Sequence, residues 1–383
     1  MKYPKLGDIT KNLDNRRIPV NSLERKGLSK KGLYPYIGAN NIMGYIDEYI
    51  FDEKILCVAE DGGSWGAEQI CANIYHEKCW VNNHAHVLVE NGQANLEYLR
   101  YFLNKTNLNK YITGTTRGKL TKSALDSIIV PLPSLSTQLH IANLLSKAEN
   151  LIARRKESIR LLDEYVKSVF LEMFGDPVKN EKGWEKLNGA EYCQKLTVGV
   201  VIKPASHYVE KGVIALRSIN IKPNRIDLNN LVYFSRDIND NELAKSILRE
   251  GDVVFVRTGL TGTAAIIPKE LDGCNCIDLI ITRPKKGVIH PKYLVFFFNS
   301  DLGKRIVTSK EVGGIQKHFN IGAIKALKIP IPPIKLQIHF AQIVEKTEAL
   351  KAWYQLSLQE LENLYGSLSQ RAFRGEIWVP GEI

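Results

Sequence analysis

No stretch of this sequence runs to 18 apolar residues without interruption, so none is long enough to span a bilayer as a helix. The opening Met1-Lys2-Tyr3-Pro4-Lys5 has no apolar signal region, and the expectation is a cytoplasmic protein with no membrane contact. Cysteine is sparse, six residues in 383, at positions 57, 71, 79, 193, 274 and 276. Cys71 and Cys79 followed by His84 and His86 match no common zinc spacing, and Cys274 and Cys276 leave one residue between the thiols. The cysteines read as reduced, buried structural residues, and no metal site is expected.

Catalytic signatures are missing too. The sequence holds no Asn-Pro-Pro-aromatic or Asp-Pro-Pro-aromatic methyltransferase motif, no Walker pair, no His-Glu-x-x-His, no metal-nuclease cluster in strand context and no Gly-x-Ser-x-Gly elbow. Its glycine loops do not fit nucleotide binding. Gly62-Gly63 and Gly259-x-x-Gly262 lack dinucleotide-fingerprint spacing. The run from Gly114 to Lys119 is one residue short of a P-loop, with Leu120 where Ser or Thr is needed. The chain is therefore expected to be no enzyme by itself.

What is present is a repeat. Pro131-Leu132-Pro133 followed by Gln138 returns as Pro330-Ile331-Pro332 followed by Gln337. The offset of 199 also relates His140 to His339, Ala142 to Ala341, Glu149 to Glu348 and Leu151 to Leu350. Behind the first copy, Leu145, Ala148, Ile152, Arg155, Ile159, Leu162, Val166, Val169 and Met173 are spaced alternately by three and four, the seam of a coiled coil. The second copy gives Val344, Thr347, Lys351, Tyr354, Leu358, Leu361, Tyr365, Leu368 and Ala372. Each run is a helix of about 37 residues, roughly 55 Å long, and neither buries its seam alone. The spacing predicts two long helices packed antiparallel within one chain.

Around them the chain divides into residues 1–133, a helix over 134–174, a linker over 175–182, a second globular part over 183–333, a helix over 334–374 and a tail over 375–383. The net charge of +11 splits among these parts as +3 and +8 on the globular parts, +1 on each helix and −2 on the tail, with the linker counted in the second globular part. A basic excess on the globular parts suits phosphate binding, while the helices suit protein contact.

The globular parts share a plan. Lys5-Leu6-Gly7-Asp8-Ile9 corresponds to Gly183-Trp184-Glu185-Lys186-Leu187 as an opening. Short strand-like runs end in Asn40 and Asn41 in one half and hold Arg217 and Asn220 in the other. Apolar strands then enter glycine-rich loops, at Glu60-Asp61-Gly62-Gly63 and at Arg257-Thr258-Gly259-Leu260-Thr261-Gly262. His84–Glu90 and Cys276–Arg283 read as core strands, Tyr98–Leu103 and Tyr293–Phe298 as short buried helices. Each half closes on a polar, basic stretch, with Arg117, Lys119 and Lys122 in the first and Gln316, Lys317, His318 and Asn320 in the second. Such side chains on a glycine-flexed loop bond phosphates and major-groove base edges. Taken singly, each is a solvated loop charge; their recurrence in both halves is what points to nucleic acid. The expected DNA-contacting set is Asn40, Asn41, Arg117, Lys119, Lys122, Arg217, Asn220, Arg257, Thr258, Thr261, Gln316, Lys317, His318 and Asn320.

Two variable β-rich parts, two proline-led helices at equal spacing and the Phe174-Gly175-Asp176-Pro177 linker together resemble the specificity subunit of type I restriction-modification enzymes, across essentially the whole chain. The resemblance implies an α+β protein whose two target recognition domains are separated by two long helices in an intramolecular antiparallel coiled coil with a pseudo-two-fold repeat. It implies double-stranded DNA with a split recognition sequence as ligand. Two modification (methyltransferase) subunits and, through them, restriction/translocase subunits are the implied partners. S-adenosylmethionine, ATP and Mg2+ would belong to those partners, as would adenine-N6 methylation and ATP-dependent cleavage. One departure is the acidic Glu60-Asp61 where the second half has Arg257-Thr258. The competing expectation is a non-catalytic coiled-coil adaptor that binds only protein.

Overall fold

The computed structural model describes residues 1–114, 117–308 and 319–379. They form two units, Met1–Glu157 with Gln355–Ile383, and Ser158–Tyr354. The architecture is two β-rich domains joined through long helices, with an antiparallel helix pair in each unit.

The helices are Leu135–Phe174 and Ile334–Phe373, 40 residues each. The first follows Pro131 and Pro133, whose rings cannot continue a helix backwards, and Ser134 Oγ accepts the Thr137 amide at 3.2 Å. It stops at Gly175, which takes φ +77° and donates its amide to Leu171 O. Gly375 takes the same φ after the second helix, donating to Ala372 O. Every predicted seam position is buried or half-buried, with Leu145, Ala148, Val166, Val169, Val344, Thr347 and Ala372 buried and the middle of the seam only half-covered. Pairing is antiparallel: Glu149 accepts from Tyr365 and Lys156 meets Glu362 in the first unit, while Asp163 meets Lys351 in the second.

Both units carry the same sheet. In the first the order is Thr10–Asn12, Ala85–Glu90, Ile55–Ala59, Ala72–Tyr75, all antiparallel. In the second it is Cys193–Val198, Leu279–Pro284, Val253–Val256, Ala264–Ile266, again antiparallel. Each unit adds a smaller sheet with one parallel pairing, Tyr34–Ile37 on Trp80–Val81 and Val213–Leu216 on Asn275–Cys276. The fully buried strands Ile55–Ala59 and Val253–Val256 read as unbroken apolar runs because both of their faces are covered.

A short helix packs under each sheet, Leu96–Lys105 and Pro291–Asn299, and a buried glutamine ties it to a long helix. Gln138 accepts from Asn95 N at 2.8 Å and Gln337 from His290 N at 2.8 Å, each at the helix N-cap. Tyr98 and Tyr293 donate to the Pro131 and Pro330 carbonyls. The first core takes in Ile141, Leu145 and Ala372; the second takes in Val166, Phe170, Phe174, Phe340 and Val344. The long helices thus belong to the hydrophobic cores of the domains they carry.

All six cysteines are free and buried. Burial pushes the thiols of Cys71, Cys79, Cys193 and Cys274 up to about 12, and those of Cys57 and Cys276 well above the ordinary range. Among the described residues no helix is long and apolar enough to cross a membrane.

Candidate nucleic-acid interface

In the first unit the chain leaves strand Ile55–Ala59 into Glu60, Asp61 and the glycines. Gly62 has φ +64°, and a Cβ there would lie 3.1 Å from the Arg117 guanidinium, so glycine lets that side chain cross the loop. Leu120 N donates to Glu60 O at 2.7 Å, docking the basic stretch against the acidic one. Arg117 Nη2 pairs with Asp61 Oδ1 at 3.0 Å, and Lys119 Nζ with Glu60 Oε1 at 3.1 Å. The two stretches that sequence reading kept apart are one charge-paired surface. Lys122 starts the next helix and pairs with Asp126 at 2.7 Å.

Beneath them lies a buried cluster. His86 faces Asp14 Oδ2 through Nδ1 at 2.6 Å and Leu120 O through Nε2 at 2.7 Å. Arg17 pairs with Glu60 at 2.5 Å and lies 3.4 Å from Asp14. Burial works against the ionised Asp14 carboxyl, yet the hydrogen bond and charge of His86, with the Val87 and Asn12 contacts, hold its pKa below the usual carboxylate range. Burial likewise opposes ionised Glu60, and hydrogen bonds from Arg17 and Lys119 outweigh it. Asp14, Glu60 and His86 are the group of potential metal ligands among the described residues. The cations of Arg17 and Lys119 already neutralise this group, so the cluster reads as a structural ion-pair network.

In the second unit Arg257 follows strand Val253–Val256 and pairs through Nη1 with Asp278 Oδ1 at 2.5 Å. Thr258 is half-buried, Thr261 Oγ1 donates to Gly259 O at 3.3 Å, and Leu260 at the tip is 69% exposed. Phe319 N donates to Arg257 O at 3.1 Å, the counterpart of Leu120 on Glu60. Asn320 caps helix Ile321–Ala326 by accepting the Ala323 amide. Gln316, Lys317 and His318 lie outside the described residues.

The strand-end polar residues divide. Asn41 is exposed in the turn between Tyr34–Ile37 and Ile42–Ile46, while Asn40 is half-buried, its carbonyl accepting from Asn73. Arg217 is half-buried and donates to Asn230 O. Asn220 is a correction to the expected set. It is 1% exposed, donates to Asp227 O and Asn229 O, and accepts the Arg217 amide, so its side chain is used up in holding its own turn.

Sequence reading missed a second basic face in the first unit. Residues 24–31 hold Arg25, Lys26, Lys30 and Lys31 against a single carboxylate, Glu24, while Arg16 and Arg17 before them are paired with Glu53 and Glu60. Asp47 accepts the backbone amides of Lys30, Lys31 and Gly32. Arg25 lies over Tyr36 at 5.4 Å, on the hairpin that exposes Ile42, Met43 and Tyr45. The run of cations was the available signal; its neighbourhood to the hairpin was not readable without the fold.

The description "Type I restriction modification DNA specificity domain" fits residues 1–161 and 217–363. A Haemophilus influenzae protein bearing the name of a type I restriction enzyme specificity subunit is 26% identical over 367 residues, 91% of this chain and 88% of its own. The type I restriction enzyme MjaVIII specificity subunit of Methanocaldococcus jannaschii is 22% identical over 403 aligned positions, 98% of this chain and 92% of its own. Among solved structures, the type I restriction-modification S subunit of M. genitalium aligns over 97% of this chain and 96% of its own, with TM-score 0.59 at 14% identity. A chain from a study of type I R-M complex assembly and conformational transition aligns over 98% of both, with TM-score 0.55 at 17% identity.

Proposed function

The chain belongs to the family of type I restriction-modification DNA specificity domains, and on that premise we propose that each of its two units binds one half of a split double-stranded DNA target. It is a specificity protein without catalytic function of its own, and it works in a complex with other subunits. The observation that carries the two-half reading is the duplication itself: identical sheet order, with a charged loop at the same strand end in both units.

Contacts would be of two kinds. Lys and Arg side chains on phosphates supply affinity that weakens steeply with salt. Arg, Lys, Asn or Gln on base edges supply discrimination of about 1–3 kcal/mol for each good bidentate pair. The loops of Arg117 and Lys119, and of Arg257, Thr258 and Thr261, are the proposed reading elements. Asn41 and the Arg25–Lys31 face beside its hairpin are proposed additions, and Arg217 is a more enclosed one. Residues on the outward faces of the long helices, such as Lys147, Arg154 and Glu157, or Glu345, are the proposed docking surface for two modification subunits, with restriction subunits joining through those; Glu362, expected there too, is engaged with Lys156 of the other helix. Those partners would hold S-adenosylmethionine, ATP and Mg2+, methylate a flipped adenine and drive cleavage.

Methylome sequencing of the source cell with and without this gene tests the reading. Loss of one split adenine-methylated motif is expected. If no split motif changes while the modification subunit is active, DNA reading is wrong and a protein-only adaptor takes its place.

A further inference from the structure

Resting on that reading, we propose that Asp278 is a positioning residue that presents Arg257 to a guanine edge, so that the half-target bound by the second unit contains a G·C pair at this contact. The antiparallel register runs from Val253 opposite Thr282 to Val256 opposite Leu279. One step further it sets Arg257 across from Asp278, where Nη1 meets Oδ1 at 2.5 Å. Asp278 pays for this place with its backbone. It holds φ +50°, a left-handed conformation that aspartate tolerates better than most residues with a side chain, though less freely than glycine. Its amide donates to Val200 O at 3.1 Å, and the flanking Ile277 is buried, which keeps the strained turn in shape. Glycine would fit that turn at least as comfortably, so what aspartate adds there is its carboxylate on Arg257.

A guanidinium held this way has two properties. Its charge is largely cancelled by the carboxylate, which weakens any pull on a phosphate. Its planar fork is fixed in direction, with the side chain 23% exposed, and the N–H groups not spent on Asp278 suit a partner offering two acceptors side by side. Guanine O6 and N7 in the major groove are such a partner. The first unit does not have this pair at the same register; its Asp-held arginine, Arg117, comes from the neighbouring stretch and is 61% exposed. Its register ends with Ala59 opposite Ala85, and the next pair is Glu60 and His84, with Glu60 accepting from Arg17 and Lys119. The sign at the corresponding position is reversed, so the guanine contact at this register is assigned to the second unit.

The test is made on the complete complex, expressed in a host free of adenine methylation, by sequencing its methylated sites with wild type, Arg257→Lys, Asp278→Asn and Asp278→Gly, and by measuring DNA affinity across a salt series with wild type and Arg257→Ala. Wild type should give a split motif with a fixed G·C pair in one half. All three variants should relax that one position, by about 5-fold to 150-fold in discrimination, and leave the other half unchanged. Asp278→Gly is the control for folding: glycine adopts the left-handed backbone without strain, so thermal unfolding should show the second unit still folded while the base is relaxed. Two results overturn the assignment. One is an unaltered motif in Asp278→Gly and Arg257→Lys. The other is an Arg257→Ala complex that loses affinity equally for all sequences, with the salt slope falling by about 1, which marks a phosphate contact. A wild-type complex with no split motif would instead remove the DNA-reading function on which the assignment stands.

Discussion

Gln138 and Gln337, 199 positions apart in sequence, make the same hydrogen bonds, each inside its own unit. Gln138 Nε2 donates to Gln93 O at 3.2 Å and Pro133 O at 3.0 Å while Oε1 accepts the Asn95 amide; Gln337 Nε2 donates to Val288 O at 3.1 Å and Pro332 O at 2.7 Å while Oε1 accepts the His290 amide. Both side chains are fully buried. Gln337→Ala leaves a buried amide and two carbonyls without their partner, at roughly 1–3 kcal/mol for each group left unsatisfied. Urea unfolding should show that loss in the second unit, and Gln138→Ala the same loss in the first. A change within 0.5 kcal/mol, the range of about ±0.5 typical of surface substitutions, would refute the staple.

The aromatic cluster at the base of the second unit is the other anchor. Phe340 meets Phe170, Phe174 and Phe296 edge-on, with ring centroids 5.5, 5.3 and 5.3 Å away. Phe340→Ala should cost about 3–5 kcal/mol, read from the unfolding of this unit. Phe340→Leu, which keeps most of the apolar volume, should recover a large part of that.

Asp61 ties up Arg117. In Asp61→Asn the guanidinium is free to meet a phosphate, so affinity for an unrelated duplex should rise and the slope of log affinity against log salt should steepen by roughly 0.9. Fluorescence anisotropy across a salt series measures both. An unchanged slope means that Arg117 points away from the DNA.

Acid sensitivity should concentrate in the first unit. Asp14 and Glu60 are held below their ordinary values of 3.8 and 4.5 in the folded chain, so each contributes stability that is fully present above the unfolded value and drains away as pH falls through the lower folded one. Unfolding free energy should therefore drop below about pH 4 to 5. Asp14→Asn should flatten that drop, and an identical pH profile in this variant would show the cluster to be uninvolved.

Buried thiols with raised pKa values are poor nucleophiles. All six cysteines should resist a thiol reagent at pH 8 in the native chain and react together in denaturant. Rapid native labelling of Cys71 or Cys193 would contradict their enclosure.

The long helices were legible because alternating steps of three and four leave a mark that survives the polar intrusions Arg155, Thr347 and Lys351. The strands Ile55–Ala59 and Val253–Val256 were legible as apolar runs beside glycine loops. The long-range pairings were not. Nothing local says that Asp61 will hold Arg117, 56 residues away, or that Asn220 will turn inward to bind its own loop. The role of Gln138 was equally hidden, since its register in the repeat marks it without revealing that its partners are the cap and carbonyls of another helix's entry. Charge counts find basic loops, while pairing depends on which strands become neighbours.

The boundary between the units cuts both long helices near their middles, after Glu157 and after Tyr354. The second unit is consequently one uninterrupted stretch of chain, Ser158–Tyr354, whose two junctions fall at nearly equivalent points of the repeated seam. Each unit closes its core on its own part of the long helices, so changes confined to residues 158–354 fall outside the sheet and core of the first unit.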